Sequence, residues 1–266
     1  MYNFTYHRPS GLRQAGNMLS KLEDAKLLAG GQTLIPVMKQ RLASPTNIID
    51  LNRIEGLSGI ELKGRSIVIG AMTRHVEVAS SDVVRQHLPA LAELAEMVGD
   101  PQVRHMGTLG GSIANNDPNA DYPAACLGLG ATIITTKRRI PADDFFKGLF
   151  ETALEPDEII TKVMFPLAKK AGYIKFRNPA SRFALVGVFV SKRGSEIRVA
   201  VTGAGASGVF RVASFEEALK KRFAAKSLDG LSVPATGLAS DIHGSAEYRA
   251  HLIGVLAKRA VAKATA

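Results

Sequence analysis

Two glycine-bearing stretches, far apart in the chain, constrain most strongly what this sequence folds into. The first is AGGQTL from Ala29 to Leu34, and the second is GTLGGSIAN from Gly107 to Asn115. Each follows or opens a predicted regular element and offers consecutive backbone N–H groups without a side chain in the way, an arrangement that suits a pyrophosphate. Two such stretches predict a long, diphosphate-containing ligand held between lobes. For either stretch, a tight structural turn is the alternative.

The cysteine count and the charge exclude several classes of function. With Cys126 as its one cysteine, the chain forms no internal disulfide and cannot alone ligate an iron–sulfur cluster or a cysteine-based zinc site. The formal net charge of +10 is spread along the chain, without a basic stripe interleaved with aromatic residues, so nucleic acid is not the expected partner. No run of about eighteen apolar residues and no signal-peptide pattern occur. We therefore expect a cytoplasmic protein without a membrane span.

The hydrophobic pattern predicts three lobes: an α/β lobe over residues 1–52, a strand-rich second lobe over 53–170 and a C-terminal α+β lobe over 171–266. Thr33 and Thr73 are expected to act as N-caps of short helices. Predicted helices cover 11–22, 34–42, 74–78, 89–98, 124–129, 215–221 and 246–261. Predicted strands cover 26–28, 47–51, 66–70, 131–136, 158–165, 183–190 and 196–202.

A third glycine-rich segment, GAGASG over residues 203–208, matches the dinucleotide fingerprint G-x-G-x-x-G and follows a predicted strand. That fingerprint requires a helix directly afterwards, and Val209 to Val212 does not open one. Too little chain remains for half of a Rossmann sheet. The segment is therefore interpreted as a glycine-rich exit from a strand.

The sequence offers no catalytic constellation and no metal site. The six histidines show neither i, i+4 pairs nor HExxH spacing, and no serine or cysteine lies in a nucleophile elbow. His105 adjoins the second glycine stretch, but a surface histidine is the favoured interpretation, and Cys126 is expected to be inert core. Lys175 either contributes a cation to a phosphate or a flavin oxygen, or is a solvated strand lysine.

Six segments, in this order and at consistent spacing, resemble the FAD-binding medium subunit of the molybdenum hydroxylases, the family of carbon monoxide dehydrogenase and xanthine dehydrogenase. They are YHRPS from Tyr6, AGGQTLIPVMK from Ala29, IGAMTRH from Ile69, DPQVRHMGTLGGSIANNDPNADYPAA from Asp100, EIITKVMFP from Glu158 and AEYRAHLIGVLAKRA from Ala246. The resemblance covers nearly the whole chain. The segment from Asp100 is its most specific part.

The resemblance implies an α+β fold: a two-lobed FAD-binding domain of the vanillyl-alcohol-oxidase/PCMH type, followed by a small α+β C-terminal domain of the CO dehydrogenase flavoprotein type. Non-covalent FAD would lie between the first two lobes, with its diphosphate on the glycine stretches, a ribityl or ribose hydroxyl on Asp121, and its ring ends near Ile160 and Lys175. The candidate cofactor-binding residues are Lys26, Leu27, Leu28, Ala29, Gly30, Gly31, Gln32, Thr33, Leu34, Thr108, Gly110, Gly111, Ser112, Asn115, Asp121, Ile160 and Lys175.

The resemblance also implies a role in electron transfer. Substrate would be hydroxylated at molybdopterin in a large partner subunit, and electrons would pass through two-iron two-sulfur clusters of a small subunit to FAD and an external acceptor. A dimer of heterotrimers is expected. The alternatives are a standalone FAD-dependent oxidoreductase acting on a small substrate, for which no general base can be nominated, and a basic, non-enzymatic binding module.

Two positions depart from the family pattern. Many members carry asparagine where this chain has His105, and many carry an acidic residue where this chain has Arg182. Arg182 is expected near the flavin edge. The identity of the electron acceptor and the flavin potential therefore stay open.

Overall fold

Three β-sheets and a two-stranded hairpin organise the computed structural model, which describes residues 1–266. The sheets follow one another along the chain, and helices connect or cover their strands. The predicted α+β fold class is confirmed. None of the helices combines the length and the apolar character that crossing a bilayer requires.

The first sheet is parallel, with strand order β1-β3-β2. Parallel neighbours require crossover connections, which two helices supply here. The central strand buries Ile48 and Ile49. The carboxyl ends of β2 and β3 share one edge, so the first glycine stretch leaves the sheet there. The elements are β1 (Thr5–His7), α1 (Leu12–Lys21), β2 (Ala25–Leu28), α2 (Leu34–Lys39) and β3 (Asn47–Asp50).

The second sheet is antiparallel, with order β4-β5-β10-β6-β7, and six helices lie between its second and third strands in the chain. In chain order the elements are β4 (Ile60–Lys63), β5 (Ser66–Gly70), α3 (His75–Ser80), α4 (Asp82–His87), α5 (Pro89–Glu96), α6 (Pro101–Met106), α7 (Leu109–Asn115), α8 (Tyr122–Leu129), β6 (Thr132–Thr135), β7 (Arg139–Pro141), α9 (Ala142–Phe145), the hairpin strands β8 (Phe146–Gly148) and β9 (Glu151–Thr152), and β10 (Ile160–Pro166).

The third sheet is an antiparallel meander, β11-β12-β13-β14, covered by two helices. A hairpin at Gly194, whose φ is +63°, joins its second and third strands. The segment 203–208 leads into β14 and no helix follows directly, which agrees with a glycine-rich strand exit. The elements are β11 (Lys170–Arg177), β12 (Ala184–Arg193), β13 (Glu196–Thr202), β14 (Phe210–Arg211), α10 (Ala213–Lys221) and α11 (Ala246–Thr265).

The largest hydrophobic core joins the second and third sheets. All eight residues of α8 are buried, and the cluster of 31 buried residues around this helix includes Tyr173, Phe189 and Ala200 from the third sheet. A Cβ added at Gly128 would lie 2.6 Å from the Phe189 ring, so α8 and β12 pack as closely as backbone allows. The predicted lobe boundaries at 52/53 and 170/171 stay predictions, with β11 beginning at Lys170.

Helix α2 is shorter than predicted, ending at Lys39 instead of Leu42. Arg41 adopts a left-handed φ of +60°, its N–H bonds the Met38 carbonyl at 3.1 Å, and the Leu42 N–H bonds the Val37 carbonyl at 3.0 Å. This pair of bonds is the Schellman ending of a helix. Thr33 occupies the N-cap position but makes no side-chain capping bond.

Two further expectations for helix starts differ from the structure. Thr73 caps no helix, because its hydroxyl bonds the backbone N–H and C=O of Gly59 at 3.0 and 3.1 Å. Arg74 is the N-cap of α3 instead. Helix α6 was not predicted, although Asp100 accepts from the Val103 N–H at 2.9 Å and Pro101 occupies the first helical turn, two ordinary start signals.

A buried carboxylate joins the β6–β7 turn to the start of β10. Glu158 forms an ion pair with Arg138, with Oε2 at 2.9 Å from Nη2, and accepts hydrogen bonds from the Thr135 hydroxyl at 2.6 Å and the Glu155 N–H at 2.9 Å. The hydrogen bonds from Arg138 lower the pKa of Glu158 to about 2. The charged form therefore stabilises this junction.

We predict that Glu158→Gln lowers the free energy of unfolding by about 2–3 kcal/mol at pH 7. Because the pKa of Glu158 is lower in the folded state, its contribution is complete above the unfolded-state pKa near 4.5 and is lost as the pH falls toward 2. Urea titrations between pH 7 and pH 2.5 check this. The difference between variant and wild type should shrink below pH 4.5, whereas exposed Glu217→Gln should differ by under about 0.5 kcal/mol throughout. A constant difference contradicts the charge-based account.

Candidate functional site

A cleft of about 640 Å³ is lined by residues from all three sheets and their connecting segments. All the candidate cofactor-binding residues except Leu28 line it. Leu28 instead faces Ile35 and Gly31 within the first lobe, and its carbonyl accepts from the Leu51 N–H at 3.0 Å. Segments more than a hundred residues apart in sequence therefore meet at one cavity. That these particular residues contact a ligand stays a prediction.

The first glycine stretch presents a run of unpaired backbone donors to the cleft. None of the N–H groups from Gly30 to Leu34 donates a hydrogen bond within the protein. A Cβ added at Gly30 would lie 2.0 Å from the Met106 carbonyl oxygen, and Gly31 has a φ of +72°. Both glycines are therefore required by the backbone itself, the first for close approach and the second for a left-handed conformation.

A polar cluster fixes the base of this stretch. The Asn52 side-chain amide donates to the Ala29 carbonyl at 3.2 Å and to the Asp50 carboxylate at 2.6 Å. Asp50 is buried at the end of β3, where it also accepts from the Tyr6 hydroxyl and lies 3.6 Å from the Arg8 guanidinium. Two of the three parallel strands thus hold the start of the stretch in place.

The second glycine stretch is the start of a helix, and most of its amides are already paired. Thr108 is the N-cap of α7 and accepts from the Gly111 N–H at 3.2 Å, while the N–H groups of Leu109 and Gly110 bond the carbonyls of Thr73 at 3.0 Å and Ala71 at 2.8 Å. The Ser112 N–H bonds the Thr108 carbonyl within the helix. The expectation that this stretch presents consecutive free amides is therefore wrong.

The glycines of the second stretch serve packing, not unusual backbone angles. Gly107, Gly110 and Gly111 all have negative φ. A Cβ at Gly110 would lie 2.6 Å from that of Ala71, and one at Gly111 would lie 3.7 Å from that of Ala29. The second stretch thus packs between Ala71, which follows β5 of the second sheet, and Ala29 of the first stretch.

Asp121 lies at the inner end of the cleft in a buried ion pair. Its Oδ2 accepts from Lys175 Nζ at 2.8 Å and its Oδ1 from the Tyr173 hydroxyl at 2.5 Å, while Lys175 also donates to the Met97 carbonyl at 3.1 Å. Burial raises the pKa of the Asp121 carboxyl, and the Lys175 charge opposes that rise. The side chain of Lys175 is fully buried, so it is not a solvated strand lysine.

A neutral histidine that was not predicted borders the same cleft. His75 begins α3, and its ring lies 5.3 Å from that of Tyr122. Burial, followed by the nearby Arg104 charge, lowers the pKa of His75 to about 4. Its Nδ1 and the Tyr122 hydroxyl are buried without a hydrogen-bond partner. The signal available in the sequence was its place at the end of the IGAMTRH segment, shortly after β5.

Two loops also line the cleft, and the one that carries Phe150 was not predicted. Phe150 and Arg182 line it and both adopt left-handed φ, +57° and +63°. An asparagine holds each loop: Asn116 donates to the carbonyls on either side of Phe150, Gly148 and Glu151, at 2.8 Å. Asn178 in the other loop accepts from the backbone N–H groups of residues 180 and 181 at 2.9 and 3.2 Å. Non-glycine residues in strained conformations concentrate at functional sites.

Two residues weighed from the sequence lie outside the cleft lining. His105 is exposed on α6, as favoured above. Cys126 is buried in α8, and burial raises the pKa of its thiol, so it is inert core as expected.

Comparison with known proteins gives a consistent result over the whole chain. The family model described as "FAD binding domain in molybdopterin dehydrogenase" matches residues 2–168. The carbon monoxide dehydrogenase medium chain of Hydrogenophaga pseudoflava is 37% identical, covering 97% of this chain and 96% of its own. The nicotine 6-hydroxylase medium subunit of Paenarthrobacter nicotinovorans is also 37% identical, covering 98% and 97%.

Solved structures agree with this result. Carbon monoxide dehydrogenase from Hydrogenophaga pseudoflava, lacking the Mo-pyranopterin moiety of its cofactor, superposes with a TM-score of 0.88 at 36% identity over 99% of this chain and 98% of its own. Quinoline 2-oxidoreductase from Pseudomonas putida 86 superposes with a TM-score of 0.83 at 27% identity over 98% and 96%.

We predict that Lys175→Met destabilises the cofactor-free chain by about 3 kcal/mol or more, because the Asp121 carboxylate then lacks its buried counter-charge. Guanidinium titration of the unfolding equilibrium measures this. The double variant Asp121→Asn, Lys175→Met should recover part of the loss. Lys220→Met, which breaks an exposed pair with Glu217, should change the unfolding free energy by under about 0.5 kcal/mol. An unchanged midpoint for Lys175→Met contradicts a structural role for the pair.

Proposed function

This chain belongs to the FAD-binding medium subunits of the molybdenum hydroxylases, and we propose that it passes electrons from iron–sulfur clusters of a partner subunit through FAD to an external acceptor. The observation that carries the proposal is the cleft into which Gly30 to Leu34 present unpaired amides. Such a row of donors suits a diphosphate.

The residues of the first glycine stretch fit the diphosphate better than those of the second. Five successive N–H groups from Gly30 to Leu34 are free to donate. From the second stretch, the Thr108 N–H, the Ser112 hydroxyl and the Asn115 side-chain amide are among the donors without a partner inside the protein. We infer that the first stretch binds the phosphates and that α7 supports it, since Gly111 lies against Ala29.

The inner part of the cleft fits the remainder of the cofactor. Asp121 and Lys175 already neutralise each other, so a hydroxyl bound there would add to the pair without replacing either partner. Ile160, the buried first residue of β10, supplies an apolar surface for a planar ring, and Asn115 adds a side-chain amide. His75 is neutral and so adds no charge to this region.

The chemistry expected of the chain itself is limited to binding, orientation and exclusion of water. Bound FAD supplies the redox chemistry, accepting electrons and passing them on. The unpaired amides of Gly30 to Leu34 add partial positive charge without a titratable group, so their binding of an anion needs no proton transfer. No general acid or base is required of these residues for such a role.

We infer that the partners are a small subunit with two-iron two-sulfur clusters and a large molybdopterin subunit, assembled as a dimer of heterotrimers in the cytoplasm. A single buried cysteine leaves this chain unable to hold the clusters itself. Its net charge of +10 suits acidic partner surfaces. The substrate at molybdenum is determined outside this chain.

We predict that Gly30→Ala lowers the content of non-covalent FAD at least about tenfold, because the new methyl group meets the Met106 carbonyl and displaces the unpaired amides. Acid precipitation of the purified protein, followed by chromatography of the released flavin, measures it. Gly16→Ala, where a Cβ meets no atom within 4 Å, is the matched control and should keep wild-type FAD. A wild-type FAD content in Gly30→Ala contradicts phosphate binding by the first glycine stretch. Flavin in the precipitate contradicts non-covalent binding.

We predict that the isolated, FAD-loaded chain hydroxylates no substrate and that it co-elutes with the small and large subunits of its enzyme in size-exclusion chromatography. The reason is that this chain provides no ligands for the clusters or for molybdopterin. Substrate turnover by the chain with FAD alone would favour a standalone oxidoreductase. Elution apart from both partners at low salt would also contradict the subunit assignment.

A further inference from the structure

Four large apolar side chains are exposed on neighbouring segments at one end of the third sheet. They are Phe176, Phe183, Ile242 and Tyr248, which we call the end patch. Phe176 and Tyr248 pack edge to face with ring centroids 6.3 Å apart. Monomeric proteins rarely leave such side chains clustered in water without a binding role.

Backbone contacts connect the other two members of the end patch to this pair. The Phe183 carbonyl accepts from the Asn178 N–H at 2.8 Å, two residues after Phe176 on β11. Ile242 lies in the turn that ends at Gly244, and a Cβ added at Gly244 would lie 3.2 Å from the Tyr248 ring. Phe183 and Ile242 therefore lie on segments that adjoin the Phe176–Tyr248 pair.

The most exposed member is held on a rigid support. Ile242 is 96% exposed, yet it follows Asp241, whose two carboxylate oxygens both accept from Arg249 Nη2 at 2.8 Å. The Arg249 side chain is buried and also donates to the carbonyls of Leu185 at 2.9 Å and Gly203 at 2.6 Å. A buried arginine thus anchors the turn from which an isoleucine projects fully into solvent. Such an arrangement loses little conformational entropy when the isoleucine enters a pocket.

Two unpaired arginines flank the end patch. Arg177 follows Phe176 and Arg182 precedes Phe183, and neither forms an ion pair within the chain. Glu247 faces a separate groove. Exposed aromatic groups beside free arginines are the composition of protein interaction hot spots, and they complement an apolar pocket with an acidic rim.

The end patch is continuous with the rim of the cleft, since Arg182 and Phe183 line that cleft. A protein seated on the end patch therefore stands over the cleft mouth. With one buried cysteine, this chain must receive its electrons from another molecule. We propose that the end patch is the docking surface for the electron-donating partner protein, which meets it with an apolar pocket rimmed by acidic side chains. This inference rests on the proposed function.

The test uses the FAD-loaded full chain and the remaining subunits of its enzyme, purified together as a subcomplex. Ile242→Asp should weaken association at least about tenfold, measured by titration at 150 mM salt, because a charge replaces the anchor in an apolar pocket. Arg177→Gln should reduce the salt dependence of association. Leu42→Asp, at a first-lobe side chain that is 73% exposed, is the matched control and should associate as wild type does.

The FAD content and the melting temperature of Ile242→Asp should match those of wild type, since its side chain contacts little of the chain. Wild-type association of Ile242→Asp, or equal weakening by Leu42→Asp, overturns the docking assignment. Intact association with slower re-oxidation by an external acceptor also overturns it, because the end patch would then face the acceptor. A chain that holds no FAD contradicts the proposed function instead, whether or not it binds the subcomplex.

Discussion

The position of the third sheet depends on one buried charge pair. Asp121 precedes α8 in the second lobe, and Lys175 and Tyr173, which bond it, lie on β11 of the third sheet. Burying the Asp121 carboxylate without these partners would cost several kcal/mol. The ion pair therefore holds α8 and β11 in a fixed relative position. The same pair forms the inner wall of the cleft. The ion pair thus contributes both to the packing of the third sheet on α8 and to the shape of the cleft.

The two glycine stretches look equivalent in sequence but differ in what they can bind. In the first, the backbone from Gly30 to Leu34 leaves its N–H groups unpaired. In the second, the corresponding groups are used by Thr108 and by the carbonyls of Ala71 and Thr73. One stretch is a set of donors and the other is its support. A protein that must bind an anion through its backbone needs both, because unpaired amides keep their direction only against a rigid neighbour.

The resemblance to the medium subunits implied the candidate cofactor-binding residues, all of which except Leu28 line the cleft. Local pattern predicted seven of the fourteen strands and the longer helices. It failed where the deciding partner is distant: Lys175 is buried by contact with a carboxylate 54 residues away, which no local pattern reports. The left-handed Phe150 depends in the same way on Asn116. Helix α6 is a different case, because the capping carboxylate of Asp100 and the following proline were present in the sequence and could have been used. Thr73 is a residue type typical of helix N-caps, but its hydroxyl bonds the backbone of Gly59 instead.

The burial of α8 has a consequence for how such a chain can change over generations. Gly128 of this helix admits no side chain because the Phe189 ring lies against it, and the Ser191 hydroxyl donates to the Gly128 carbonyl at 2.5 Å. The third sheet is therefore not a module that recombination can exchange freely. A third sheet taken from a distant relative would have to carry residues that fit against α8. New docking surfaces are therefore more readily acquired by altering loops than by exchanging the whole sheet.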